Sequence, residues 1–95
     1  MHFFDDGKIL IIGRQVLTNL GSLIDLLGLD TFGNTVIIEL KRGKTPRETV
    51  AQLLEYASFN KTSKLVIVAQ DISLPIRQTA LYLRKKGIDL YCMEF

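Results

Sequence analysis

Two apolar stretches, "SLIDLLGLD" and "TVIIELK", stand either side of "TFGN", and this arrangement constrains the chain more than any other feature. A three-residue loop of Thr31, Phe32 and Gly33 predicts a hairpin closed by a type I turn and a G1 bulge, with Gly33 supplying the positive φ. Asp30 then faces Asn34, every opposed couple totals 64 in residue number, and Asp25 falls opposite Glu39. Because side chains alternate, Lys41 shares the face of Glu39, while Val36, Ile38 and Leu40 point the other way. Opposed β-carbons lie roughly 4.5–5.5 Å apart, so two carboxylates in that position repel each other and need a compensating group. Two readings satisfy that need. Lys41 can neutralise the acids, or one carboxyl can be protonated. Alternatively a divalent cation sits between Asp25 and Glu39, and oxygen-rich ligation without histidine suits Mg²⁺ or Mn²⁺. Asp30 is an alternative ligand, but alternation places it on the opposite face and Asp is common at turns.

The remaining elements follow from periodicity and punctuation. Lys8 to Thr18 reads as a first strand bent at Gly13, Gly21 as a turn, Ser22 to Asp30 as the second strand and Asn34 to Lys41 as the third. Thr45, Pro46 and Glu48 form the pattern of a capping box, and Val50, Leu53, Leu54 and Ala57 repeat as a helical core face. Gln52 and Tyr56, four residues apart, share one face of that helix beside the apolar stripe. "KLVIVAQ" is a fourth strand, apolar throughout as expected when both faces are covered. Ser73 and Pro75 open a second helix, Gly87 ends it, and "IDLYCMEF" is the fifth strand. The order β-β-β-α-β-α-β predicts an α/β fold: a mixed sheet flanked by helices, with the fourth strand parallel to the third.

Ninety-five residues with 47% hydrophobic and 23% charged content describe one domain, residues 1–95, and exclude a disordered chain. No apolar run reaches the ~18 residues of a membrane span, and "MHFFDDGK" has acids where an export signal has basic residues. The single cysteine, Cys92, fits a reducing cytoplasm. A net charge of +2 is too small to point to nucleic acid, so distribution matters more. Arg42, Lys44 and Arg47 gather beside the Glu39–Lys41 segment, whereas Arg84, Lys85 and Lys86 suit the C-terminal end of a helix. The lone histidine, His2, has no assigned role.

Asp25, Glu39-Leu40-Lys41, the capped helix and its Gln52 and Tyr56 in "QLLEY", taken in order, resemble the PD-(D/E)XK nuclease superfamily. The stretch "GSLIDLLGLDTFGNTVIIELKRGKTPRETVAQLLEYAS" looks more closely like the small prokaryotic domains related to the NucS endonucleases. This resemblance implies a restriction-endonuclease-like core that cleaves phosphodiester bonds with Mg²⁺, here lacking the usual N-terminal helix. Carried over by position, Asp25 and Glu39 ligate the metal with the backbone carbonyl of Leu40. Lys41 orients the attacking water, Gln52 braces the site and Tyr56 contacts the site or the nucleic acid. The implied function is a metal-dependent DNA endonuclease acting in repair or processing, with a non-catalytic DNA-binding domain as the alternative. Arg14, Arg42, Lys44 and Arg47 are the candidate phosphate contacts. DNA is the expected partner, with no membrane association. A homodimer is expected, since absence of the opening helix would leave apolar surface to cover.

Overall fold

The computed structural model of the chain describes residues 9–17, 23–59 and 64–95. The predicted order of elements is found: β1 (Ile9–Leu17), β2 (Leu23–Asp30), β3 (Thr35–Lys44), α1 (Arg47–Phe59), β4 (Lys64–Asp71), α2 (Leu74–Lys85) and β5 (Leu90–Glu94). One five-stranded sheet runs β1-β2-β3-β4-β5 in space. The first three strands are antiparallel, and β4 and β5 continue in parallel, as the two α-crossovers require. The predicted ends Lys8 and Thr18, the turn at Gly21, and His2 lie outside the described residues.

The β2–β3 hairpin has the register its loop dictates. Leu26 pairs with Ile38, Leu27 with Ile37 and Leu29 with Thr35. Asp30 N–H donates to the Asn34 carbonyl at 3.0 Å, and Gly33 adopts φ 81°, the left-handed conformation reserved for the bulge position. Asp30 itself is a structural clamp. Its buried carboxylate accepts from the Phe32 and Asn34 N–H groups at 2.9 Å and from Lys64 Nζ at 2.9 Å. Burial alone would raise its pKa, but the Lys64 and Asn34 bonds prevail and hold it near 2. Its oxygens are committed to the turn and to Lys64 of β4, away from Asp25 and Glu39.

Val36 and Ile38 are fully buried and Ile37 nearly so, as are Leu65, Val66 and Ile67 on the neighbouring strand, so this centre of the sheet is covered on both faces. Ile37, Leu65, Ile67 and Leu90 pack with Leu53 and Tyr56 of α1 and with Ile76 and Ala80 of α2. Each such side chain contributes about 1.5–3 kcal/mol by leaving water. Val36, Ile38 and Val66 form a second cluster on the opposite face, with Ile9, Leu26 and Val68 against it.

Local details depart from expectation. The capping box does not form: the Thr45 hydroxyl and N–H both bond the Asp71 carbonyl, tying the start of α1 to the end of β4. Ser73 occupies the N-cap of α2 with extended backbone but makes no side-chain capping bond. Strand β3 continues past Lys41 to Lys44 through an irregularity against β4. Tyr56 lies within the core rather than beside the apolar stripe, while Gln52, one turn away, is exposed.

Candidate active site

Alternation along β2 fails near Asp25, and this failure builds the site. Leu27 and Ile24 both pack on the helix-side core although they are three positions apart, while Leu26 belongs to the opposite cluster. Strict alternation cannot place positions 24 and 27 on one face. The β2–β3 ladder correspondingly stops at Leu26–Ile38. Beyond it the Leu40 N–H donates to Asp25 Oδ2 at 2.9 Å, so a side chain takes the place of a backbone acceptor. Asp25 thus fills a fork at the end of the paired ladder.

Glu39 sits across that fork, 4% exposed, with its carboxyl in hydrogen-bonding contact with Asp25. Its Oε2 lies 3.9 Å from Lys41 Nζ, and its Oε1 is buried with no hydrogen-bond partner among the described residues. Burial, and then the Asp25 charge, push the Glu39 pKa up to about 7 against the opposing pull of Lys41. Both compensations foreseen for facing carboxylates therefore operate: a lysine beside the pair, and a carboxyl that readily keeps its proton. Neither satisfies Oε1. A buried acceptor without a donor costs about 1–3 kcal/mol, more when charged, and a cation would satisfy it.

The donor set suits a hard divalent ion. Leu40 aims its N–H at Asp25, and the N–H and C=O of one strand residue point to the same side, so its carbonyl also opens toward β2. Asp25, Glu39 and that carbonyl are all oxygen donors. No cluster of three or more His, Cys, Asp or Glu side chains occurs among the described residues. Two carboxylates leave room for water and phosphate, in keeping with the reluctance of Mg²⁺ to shed its waters.

The other predicted residues are less tightly gathered. Lys41 is beside Glu39 as expected. Gln52 is exposed on α1, without a hydrogen bond to any described residue. Tyr56 is buried, its hydroxyl donating to the Leu23 carbonyl at 3.5 Å, two residues before Asp25. The four basic residues are exposed and divided. Arg14 borders a cavity of about 670 Å³ with Asp25, Leu26 and Leu40, whereas Lys44 and Arg47 line a cleft of about 880 Å³ between α1 and α2. Arg42 lies on the irregular tail of β3, where Gly43 adopts φ 68° and its N–H donates to Gln70 Oε1 at 2.8 Å. In the second basic group, Arg84 stacks over Tyr91 and donates to the Leu90 carbonyl, and Lys86 lies over the Tyr82 ring. Two glutamines escaped sequence reasoning, Gln70 and Gln15, whose Nε2 lies 3.3 Å from Asp25 Oδ1. The polar pair Arg14-Gln15 inside an otherwise apolar strand was the available signal.

Known proteins resemble this chain in sequence and in fold. The family described as "Endonuclease NucS C-terminal domain" matches residues 1–94. Endonuclease NucS of Sulfolobus acidocaldarius is 34% identical over 85 residues, covering 85% of this chain and 32% of that protein. A repair endonuclease from Pyrococcus abyssi superposes with a TM-score of 0.72 at 23% identity, over 90% of this chain and 37% of its own. EndoMS in a complex with dsDNA gives a TM-score of 0.70 at 23% identity, over 90% of this chain and 36% of its own. The chain thus spans about a third of the length of these relatives. With the family model matching residues 1–94 and the fold shared over 90% of the chain, the chain belongs to the endonuclease NucS C-terminal domain family.

Proposed function

We propose that the chain is the catalytic portion of a metal-dependent endonuclease that hydrolyses phosphodiester bonds in DNA, in repair or processing, within the cytoplasm. The observation that carries this reading is the buried Glu39 Oε1 beside Asp25, which has no hydrogen-bond partner among the described residues. Protein stability alone gives no reason to keep such an atom. Asp25, Glu39 and the Leu40 carbonyl would hold Mg²⁺ or Mn²⁺. A bound divalent ion polarises a phosphoryl oxygen and acidifies water. Lys41 orients the attacking water and sets positive charge against the phosphate as negative charge accumulates there. Tyr56 supports the fork through the core and its Leu23 bond, and Gln52 braces the substrate side from α1. Arg14, Arg42, Lys44 and Arg47 contact phosphates, which positions DNA without reading its sequence. The same reading has two copies of the chain associate.

A second reading, DNA binding without turnover, draws on the small donor set of two carboxylates and on the chain's covering a third of its relatives. A nuclease assay with Mg²⁺ or Mn²⁺, run beside a DNA-binding assay, separates the two. Cleavage that disappears in Asp25→Asn while binding persists supports the nuclease. Binding with no metal-dependent cleavage by the parent chain supports the alternative.

A further inference from the structure

We propose that Gln15 is a positioning residue of this site: a bulge in β1 sets its neutral amide opposite Asp25, where it fixes the carboxylate for a divalent cation. The inference rests on the cation-binding reading above and extends it to a residue which that reading does not use. Three observations carry it.

The first is register. Before the bulge, Ile9 pairs with Asp30, Leu10 with Leu29 and Ile11 with Gly28, each couple totalling 39 in residue number. After it, Gly13 pairs with Leu27, Arg14 with Leu26 and Val16 with Ile24, each totalling 40. The extra residue lies between Ile11 and Gly13. It brings Gln15 level with Asp25. Without it, that position would belong to Arg14. Bulges next to active sites re-aim side chains in this way.

The second is conformation. Gln15 has φ 50° and is the one non-glycine residue with positive φ among the described residues. Strained residues of this kind persist where the surroundings over-determine them, and they cluster at functional sites. The third is contact. Gln15 Nε2 meets Asp25 Oδ1 at 3.3 Å and the Leu40 N–H meets Oδ2 at 2.9 Å. One donor from β1 and one from β3 thus orient the carboxylate, which also meets the Glu39 carboxyl.

The identity of the donor matters. An arginine on that row would form a charged, two-pronged bond with Asp25 and place a positive charge where the cation must enter. An amide orients the same carboxylate and adds no charge. Groups that hold metal ligands in this manner change metal affinity by roughly 10–100-fold when removed.

The test is calorimetric titration of the 95-residue chain with Mn²⁺, beside thermal unfolding without metal. Gln15→Gly accepts the positive φ without strain but lacks the amide. It should keep or raise the melting temperature while weakening Mn²⁺ binding by roughly 10-fold. Gln15→Lys, which restores a donor but adds charge, should weaken it further, by roughly 100-fold. If Gln15→Gly fails to fold, Gln15→Asn decides by the same readout, since Asn tolerates the left-handed region and holds its amide one carbon short. Parent-like Mn²⁺ affinity in the amide-removed variant, or in Gln15→Lys, overturns the proposal, as does a lowered melting temperature with affinity unchanged. If the parent itself shows no Asp25-dependent Mn²⁺ binding, the cation reading fails and the role of Gln15 falls with it. A parent that binds while its variants bind equally well removes only Gln15.

Discussion

Glu39 ties stability to pH in a direction opposite to most surface acids. Its folded pKa is raised from 4.5 to about 7, first by burial and then by Asp25. Between those values the folded chain holds a proton that the unfolded chain releases. Stability therefore falls as pH rises from 4.5 through 7, and the loss is complete above that. Glu39→Gln removes the ionisation. Without divalent ions, it should be more stable than the parent at pH 8, by at most about 3 kcal/mol, with the difference gone near pH 4.5. Added Mg²⁺ should reverse the order at pH 8, because only the parent has the anionic ligand and gains from binding. Melting curves at the two pH values, with EDTA or Mg²⁺, measure this. A Glu39→Gln chain less stable than the parent at pH 8 in EDTA contradicts the argument. Lys41 gives a complementary residue-scale test. Its ammonium lies near Glu39 but is not a ligand, so Lys41→Met should retain Mn²⁺ binding and lose roughly 10²–10³-fold in cleavage rate. Cleavage at the parental rate would remove Lys41 from the chemistry.

At the scale of elements, the β2–β3 hairpin holds the fork in place, and Asp30 holds the hairpin. Asp30→Asn removes the charge that both Lys64 and the turn amides use, and should cost about 2–3 kcal/mol by thermal unfolding at pH 7. The parent should lose the same contribution as pH drops from 3.8 toward 2, since a depressed carboxylate pKa stabilises only while the group is ionised. Indifference of the melting temperature to this substitution would refute the clamp. The tail of β3 gives a second test. If Arg42 and Lys44 contact phosphate, replacing either with Ala should weaken DNA binding and lower its log–log salt slope by about 1. An unchanged slope removes that residue from the interface. These elements also mark what the sequence could reveal. The hairpin register was legible because a short loop with glycine at its bulge admits one local geometry, and the strand order followed from it. The bulge before Gly13 was not, because an inserted apolar residue leaves the strand apolar while shifting every later row. Nor was the fork at Asp25, where a side chain replaces a ladder acceptor. Thr45 misled because its hydroxyl fits a helix cap equally well until β4 brings the Asp71 carbonyl beside it.

At the scale of the molecule, the sheet is buried at its centre and bare along one side. β1 is an edge strand whose Leu10, Ile12 and Leu17 are 66%, 50% and 69% exposed, and Leu23 of β2 adds 49% beside them. Apolar edge strands offer unpaired backbone groups together with hydrophobic surface, and folded proteins rarely leave both uncovered. Burying one such side chain is worth about 1.5–3 kcal/mol, so several contributed by each of two copies can offset the entropy of association. The expected state is accordingly a homodimer that covers β1. The bulge in β1 limits continuous strand pairing, so side-chain burial rather than a long shared ladder should dominate the contact. Light scattering across a concentration series should show twice the chain mass at high concentration. Leu10→Lys with Leu17→Lys should shift the chain toward monomer at the same concentration, because the interface would then bury like charges from both copies. Neither residue touches the Asp25–Glu39 fork, so Mn²⁺ affinity should remain parental in the double variant, which separates lost association from a damaged fold. A parent chain that scatters as a monomer at millimolar concentration, or a double variant that remains dimeric, would show that β1 is not the surface that joins two copies.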